Sequence, residues 1–343
     1  MANIVFLFNV SHIKIISNIR TQFTIKLMDG EIVLKLSIVV PAYNEEETLE
    51  LFVNEVNKQT EKLPLEKTFY FVNDGSVDNT LSILKKLSLK KNIKYISFSR
   101  NFGKEAALLA GLRAADGDFI TVMDADLQDP PEMLKEMYTK IQEGYDIVGT
   151  CRVSRDGEPP IRSFFAKTFY KIINKISDTE MVDGARDFRL MTRQVVDNIL
   201  ELEERNRFSK GIFSWVGFDT IYLPYENHER VAGTTSWNFW GLVKYSIDGI
   251  VNFSEVPLNL ATFVGVLSFL ASVVMGVFYF VRTLIWGDPV NGFPTLVILI
   301  LLLGGLQLLS LGIIGKYLAK VFLETKKRPN YIIKESNITY KLD

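Results

Sequence analysis

Val122-Met123-Asp124-Ala125-Asp126-Leu127-Gln128-Asp129-Pro130-Pro131-Glu132 is the stretch on which the reading of this chain turns. It starts inside the apolar run Phe119–Met123, which predicts a buried strand, and ends at a proline pair that opens a helix. In extended chain, residues i and i+2 point the same way, so Asp124, Asp126 and Gln128 share one face. Two carboxylates about 5 Å apart repel by roughly 3 kcal/mol at an effective dielectric of about 20. A divalent cation relieves that repulsion, and Mg²⁺ commonly takes one or two protein carboxylates together with substrate phosphates. The stretch therefore suggests a metal–diphosphate site. The alternative is a solvated strand end, with Asp129 and Glu132 complementing the dipole of the following helix.

The chain on either side alternates strand-like and helix-like segments. Leu36–Pro41, Thr68–Val72, Tyr95–Phe98, Phe119–Met123 and Ile147–Thr150 are short apolar runs. Between them, helical spacing appears over Glu45–Leu63, in Leu81, Ile83, Leu84 and Leu87, and over Gly103–Ala115. Such alternation predicts an α/β domain with a mainly parallel, Rossmann-like sheet. Ligands of open parallel sheets bind beyond the carboxyl ends of the strands. Asn44-Glu45, Asn73-Asp74 and Asp124-Ala125-Asp126 all stand at such ends, so three strand ends converge on one rim.

Composition narrows the chemistry. The 343 residues carry a net charge of −1, which gives no basis for nucleic acid as a partner. One cysteine, Cys151, excludes a disulfide framework and a cysteine-ligated zinc site, and reads as a packing residue. With only His12 and His228, a Ser-His-Asp triad is disfavoured, which leaves carboxylates, arginines and lysines. The mean hydropathy is positive, and the excess lies near the C-terminus. Leu258–Ile285 contains one charge, Arg282, and Val290–Gly315 contains none. Each run exceeds the roughly 20 apolar residues that cross a bilayer. Trp286-Gly287-Asp288-Pro289 joins them as a short turn, so they predict a transmembrane hairpin. Lys244 precedes it, and Lys316, Lys320, Lys326, Lys327 and Arg328 follow, which puts both ends in the cytoplasm of a multi-pass protein of the plasma membrane. Ser236–Ile247, aromatic and sparsely charged, reads as a helix lying in the membrane interface.

These features divide the chain into an N-terminal extension (1–35), an α/β domain (36–230), a juxtamembrane region (231–256), two spans (257–286 and 290–318) and a cytoplasmic tail (319–343). Residues before Met28 keep no steady period and do not form a convincing signal peptide. One reading is that translation naturally starts at Met28. Gly265, Ala271, Ser272, Gly276, Gly304, Gly305, Gly312 and Gly315 are small residues that permit close helix approach, either within the hairpin or in a homo-oligomer.

Four motifs together resemble the family 2 glycosyltransferases of the GT-A fold: Ser37-Ile38-Val39-Val40-Pro41-Ala42-Tyr43-Asn44-Glu45, Val72-Asn73-Asp74-Gly75-Ser76, Arg100-Asn101-Phe102-Gly103-Lys104-Glu105 and Asp124–Pro131. The paired C-terminal spans narrow the resemblance to polyprenyl-phosphate glycosyltransferases, the bactoprenol glucosyltransferase (GtrB-like) and dolichyl-phosphate mannose synthase-like group. It extends over about Leu36 to Lys327. The resemblance implies a nucleotide-sugar donor, a polyprenyl phosphate acceptor in the bilayer and Mg²⁺ or Mn²⁺ as cofactor. It implies that Pro41, Tyr43 and Glu45 line the nucleotide pocket, that Asp74 accepts from the uracil N3–H, and that Lys104 lies near the donor phosphates. Asp124 and Asp126 become the DxD element, with the metal at Asp124, Asp126 and Gln128, the last two as direct ligands.

A second set of residues belongs to the same resemblance. Arg152 and Arg155 lie in its arginine-bearing segment, Asp187-Phe188-Arg189-Leu190 is its DFRL element, and Arg230 opens its R-x-x-G-x-(S/T)-(S/K) segment. Arg152, Arg155 and Arg230 are thereby candidates for the acceptor phosphate, since the guanidinium fork matches phosphate geometry. A solvated Arg155 and an Arg189 paired with a surface acid are the bland alternatives. Asp187 is the candidate catalytic carboxylate. A phosphate monoester has a second pKa of about 6, so the acceptor is already largely an oxyanion and needs a strong general base less than a sugar hydroxyl does. Asp187 then orients sugar or acceptor. Arg207–Trp215 lacks the Gln-x-x-Arg-Trp element of processive family members, which points to single transfer. The competing readings are a polysaccharide synthase and a non-catalytic membrane scaffold. The expected donor is UDP-glucose or UDP-GlcNAc.

Overall fold

The computed structural model describes residues 27–28, 31–152, 170–171, 173–175, 177, 182–225, 247, 249–286 and 292–338. The candidate ligands Arg155 and Arg230 and most of the expected interfacial helix, residues 236–246, lie outside the described residues.

Leu27–Met28 pairs with Glu31–Ile32 as a two-stranded ribbon ahead of the main sheet. The main sheet is built in chain order from β1 (Leu34–Ala42), β2 (Leu65–Asn73), β3 (Ile93–Phe98), β4 (Phe119–Val122), β5 (Ile147–Arg152), β6 (Ala185–Thr192), β7 (Thr220–Tyr225) and β8 (Ile333–Ser336). Their spatial order is β8-β3-β2-β1-β4-β6-β5-β7. The β3-β2-β1-β4 block is parallel, as is β5 with β7, while β6 runs antiparallel between β4 and β5 and β8 runs antiparallel on the edge of β3. The result is the mainly parallel mixed sheet of the GT-A fold.

Both faces of the sheet are covered, which is why its strands read as continuous apolar runs. Leu36, Ile38, Val40 and Ala42 of β1 point to the face packed by α1 (Leu49–Gln59), α2 (Thr80–Leu87) and α4 (Met133–Gln142). Val39 points to the opposite face, with Tyr70, Ile120 and Val122, against α3 (Lys104–Ala114), α5 (Arg193–Glu201) and α6 (Ser209–Trp215). Helix α3 approaches β1 at Gly111, where a Cβ would stand 2.3 Å from Val39 Cγ1.

Five strands are legible from apolar runs; β6, β7 and β8 are not. Ala185-Arg186-Asp187-Phe188-Arg189-Leu190-Met191-Thr192 holds three charges in one strand. Its Phe188 and Leu190 join the core on one face and Met191 the core on the other. Arg189 is buried with them, which only tertiary partners make tolerable. The last strand, Ile-Lys-Glu-Ser, lies on the sheet edge within what reads from sequence as a tail. Its neighbours secure it: the Tyr331 ring stacks on Phe98 at 4.9 Å, Lys85 pairs with Glu335 at 2.7 Å, and the Tyr95 N–H donates to Asn337 Oδ1 at 2.7 Å.

Beyond the domain lie α7 (Val256–Trp286) and α8 (Phe293–Lys326). Within them, Val256–Met275 and Leu302–Lys326 are long and apolar enough to cross a membrane, and neither segment is buried in the protein. A groove of about 600 Å³ runs between them, with Ser268, Gln307 and Ser310 among its lining residues. At Gly265, Gly304, Gly305, Gly312 and Gly315 nothing among the described residues lies within 4 Å of where a Cβ would stand. The base of the hairpin is bonded to the domain. Glu324 of α8 accepts the backbone N–H groups of Arg205 (2.8 Å) and Asn206 (3.2 Å), Asn206 donates to Asn252, and the Tyr317 hydroxyl donates to the Ser254 carbonyl at 2.6 Å.

Candidate active site

The antiparallel register of β4 with β6 pairs Val122 with Arg189. Two residues after Val122 and two before Arg189, Asp124 and Asp187 come together at the carboxyl end of β4. Two facing carboxylates repel, and the cation that joins them is Lys104. Its ammonium lies 2.7 Å from Asp124 Oδ1 and 2.6 Å from Asp187 Oδ2. Burial works to raise the Asp187 carboxyl, but Lys104, Lys210 and Arg189 outweigh it and hold it well below the usual carboxylate range. Burial likewise opposes the Lys104 charge, and the two carboxylates overcome it and raise its pKa.

Lys104 is aimed by the loop that precedes it. Asp74, at the end of β2, is almost wholly buried, and its carboxylate accepts the N–H groups of Phe102 (2.6 Å) and Gly103 (2.9 Å). Burial raises the Asp74 carboxyl, and these two N–H donors oppose the rise. Gly75 has φ +68°, and a Cβ there would stand 2.3 Å from the Arg100 carbonyl carbon, so glycine lets the 100–103 loop lie directly on the end of β2. Asp74 thus has an anchoring role that its motif alone does not reveal.

The loop after β1 interlocks with the loop after β2. The Asn44 N–H donates to Ser76 Oγ, the Glu45 N–H to Thr80 Oγ1, and the Asn79 N–H to Glu46 Oε2. The Glu45 carboxylate accepts the Thr48 hydroxyl at 2.7 Å. Pro41 is half-buried and Tyr43 is exposed on this rim.

Past β4 the chain turns sharply, with Leu127 at φ +56°. The Gln128 N–H donates back to Asp126 Oδ1 at 3.1 Å. Arg186, beside Asp187, spans to Gln128 Oε1 and Asp129 Oδ1, each at 3.3 Å. Asp129 also accepts the Tyr225 hydroxyl at 2.6 Å. Only 2 % of Asp129 is exposed, so it does not act as a solvated complement to a helix dipole. Its burial raises its pKa, and Arg186 opposes that rise. Asp124, Asp126 and Gln128 offer oxygen donors alone, the chemistry that hard Mg²⁺ or Mn²⁺ takes.

Arg152 closes β5 at the same rim, half-buried, with its N–H on the Gly184 carbonyl at 3.0 Å. The preceding Cys151 donates its thiol to the Asp183 carbonyl, and burial together with Asp183 raises the thiol pKa, which suits a packing role. Arg189 is 2 % exposed. It donates to the carbonyls of Asp187 (3.3 Å) and Arg186 (2.7 Å), and its guanidinium lies 3.7 Å from the Phe213 ring centroid. It braces the strand that carries Asp187 from a buried position. Sequence reading therefore missed Arg186 and Lys210. The first adjoins a residue already singled out, and Lys210 lies in a segment read only for the motif it lacks.

The glycosyl transferase family 2 profile matches residues 37–200. A putative glycosyltransferase, CsbB, of Bacillus subtilis (strain 168) is 46% identical over 307 residues, covering 89% of this chain and 93% of that protein. The SfII prophage-derived bactoprenol glucosyl transferase of Shigella flexneri is 43% identical over 305 residues, covering 89% of this chain and 99% of that protein. The prophage bactoprenol glucosyl transferase homolog of Escherichia coli (strain K12) is 42% identical over 302 residues, covering 88% and 99%. These matches run well beyond the profiled segment and take in most of both chains. The protein is a glycosyltransferase and belongs to glycosyl transferase family 2.

Proposed function

We propose that this enzyme transfers one hexose from a UDP-sugar, UDP-glucose or UDP-GlcNAc, to undecaprenyl phosphate at the cytoplasmic face of the membrane. The observation that carries the reading is the meeting of Asp124 and Asp187 on Lys104, in a domain bonded to the base of two helices long enough to span a bilayer. The names of the relatives, bactoprenol glucosyl transferases among them, support the same acceptor class.

In this mechanism an acceptor phosphate oxygen attacks the sugar C1 and the bond from C1 to the UDP oxygen breaks. The electron pair departs with UDP, and attack opposite the leaving group inverts the anomeric centre. Asp124, Asp126 and Gln128 are the residues to hold Mg²⁺ or Mn²⁺. Among the described residues no three His, Cys, Asp or Glu side chains are grouped to bind a metal on their own; Asp124, Asp126 and Gln128 would leave coordination positions to other ligands, as is usual for Mg²⁺. When bound, the cation neutralises charge on the nucleoside diphosphate. Lys104 supplies fixed positive charge between the carboxylates and the donor phosphates. Pro41, Tyr43, Glu45 and Asp74 frame the nucleotide, and Asp187 orients the reacting groups. Arg152, Arg155 and Arg230 are assigned to the acceptor phosphate, whose chain lies along the hairpin.

The test is UDP release by the full chain in vesicles, with Mg²⁺ or Mn²⁺, from a panel of nucleotide sugars. Release that needs undecaprenyl phosphate is the expected result. Release indifferent to the lipid, or none from any sugar, overturns the reading.

A further inference from the structure

Helix α6 sits between the reacting centre and the membrane hairpin. On one side, Gly211 faces Phe253, just ahead of α7, so closely that a Cβ would stand 2.5 Å from the Phe253 ring. Phe208 packs on the same ring, with centroids 5.8 Å apart. On the other side, α6 meets the first turn of α3 through one partly buried clamp. The Glu105 carboxylate accepts the Ser209 N–H, at 3.0 and 3.1 Å to its two oxygens, and also the Ser209 hydroxyl. Two consecutive pairs of residues therefore face each other: Lys104 with Glu105 on α3, and Ser209 with Lys210 on α6. Lys104 reaches Asp187 directly. Lys210 reaches the start of the same strand, donating to the Ala185 carbonyl at 3.3 Å. An ammonium carries three donors, and a hydrogen bond to a neutral carbonyl at 3.3 Å leaves its charge available to an anion.

We propose that Lys210 is a further phosphate-binding residue of this active site, on the acceptor side, held in register by the Ser209–Glu105 clamp. The inference rests on the lipid-phosphate reading above. The donor side already has Lys104, set between the two carboxylates. Lys210 instead comes from the element that touches the hairpin base, where a phosphate tethered to a membrane chain must enter. Glu105 is a positioning residue in this arrangement: it touches no reactant, and it fixes α6 so that Lys210 reaches the start of the strand that carries Asp187.

The experiment uses the full chain in vesicles, undecaprenyl phosphate as acceptor, and whichever nucleotide sugar the wild type turns over. Lys210→Ala is expected to raise KM for undecaprenyl phosphate by about tenfold or more, as loss of a charge-assisted contact does. The donor KM stays within about twofold and Lys210→Arg restores most of the loss. Ser209→Ala and Glu105→Ala raise the same acceptor KM, Glu105→Gln less so, and neither alanine adds its full effect to Lys210→Ala. Melting temperatures are read in parallel. If Glu105→Ala fails to fold, Ser209→Ala, which removes one hydroxyl, carries the positioning test. A rise in donor KM, a fall in kcat with acceptor KM unchanged, or wild-type behaviour of Lys210→Ala overturns the proposal. Absence of lipid-dependent release in the wild type overturns the functional reading, and this inference with it.

Discussion

At the scale of single residues, the site is a cation held by two opposed carboxylates. Removing Lys104 leaves Asp124 and Asp187 without the cation that joins them, with burial working against the charge of Asp187. Lys104→Met is therefore expected to lower kcat by about a hundredfold or more, read from UDP release. The pH profile carries a sign. The Asp187 carboxyl is depressed in the fold, so its contribution is fully present above the unfolded value of about 3.9 and is lost only as pH falls through the lower folded value. The acid limb of wild-type kcat should then show no Asp187 titration above about pH 4, and Lys104→Met should move that limb to higher pH. Asp187→Asn is expected to lower kcat sharply while donor affinity, measured by UDP-sugar binding, stays within about threefold; unchanged turnover removes Asp187 from the mechanism. Arg189 tests stability. Its buried guanidinium serves two carbonyls and a ring, so Arg189→Ala should cost about 3 kcal/mol in urea unfolding, with Lys a poor substitute for the planar fork.

At the scale of elements, the legible parts are those whose signal is local. Phe119–Met123, followed by acids and a proline pair, announces a strand end, and β4 ends at Val122 with Asp124 at the rim. The segment Arg207–Trp215 shows the opposite case. Its sequence tells what it lacks, while its role depends on Glu105, about a hundred residues away. Gly75 belongs at this scale because it sets the approach of one loop to one strand. Gly75→Ala must strain a backbone at φ +68° and push the Arg100 backbone aside, which displaces the loop that aims Lys104. The expected outcome is a loss of donor affinity of about tenfold or more together with a lower melting temperature. A substitution silent in both measurements contradicts the anchoring role of Asp74.

At the scale of the whole molecule, the domain is bonded to α8 through Glu324 and to the segment leading into α7 through Asn252, Tyr317 ties that segment to α8, and α8 runs on into the sheet edge through Tyr331 and β8. The rim that carries Asp124 and Asp187 is thus tied to the bases of both helices, as the proposed transfer to an acceptor in a lipid layer requires. Topology has a direct measurement, because Cys151 is the only native cysteine. In a Cys151→Ser background, a cysteine placed at Lys327 should react with a membrane-impermeant maleimide from the cytoplasmic side. One placed at Asp288 should react only from the other side. The reverse pattern overturns the cytoplasmic assignment.

The amino-acid sequence by itself determined the α/β alternation, the acidic rim and the paired apolar runs, because each is written in neighbouring residues through strand and helix periodicity or unbroken hydrophobicity. Only the tertiary structure decided that one ammonium, Lys104, joins Asp124 and Asp187 from adjoining antiparallel segments, and that Glu105 and Ser209 hold the helix from which Lys210 reaches the Ala185 carbonyl. Those contacts link residues about 20 to 100 positions apart. A charged strand such as β6 is stable only when its partners surround it, and a local pattern cannot encode partners that folding has yet to bring near.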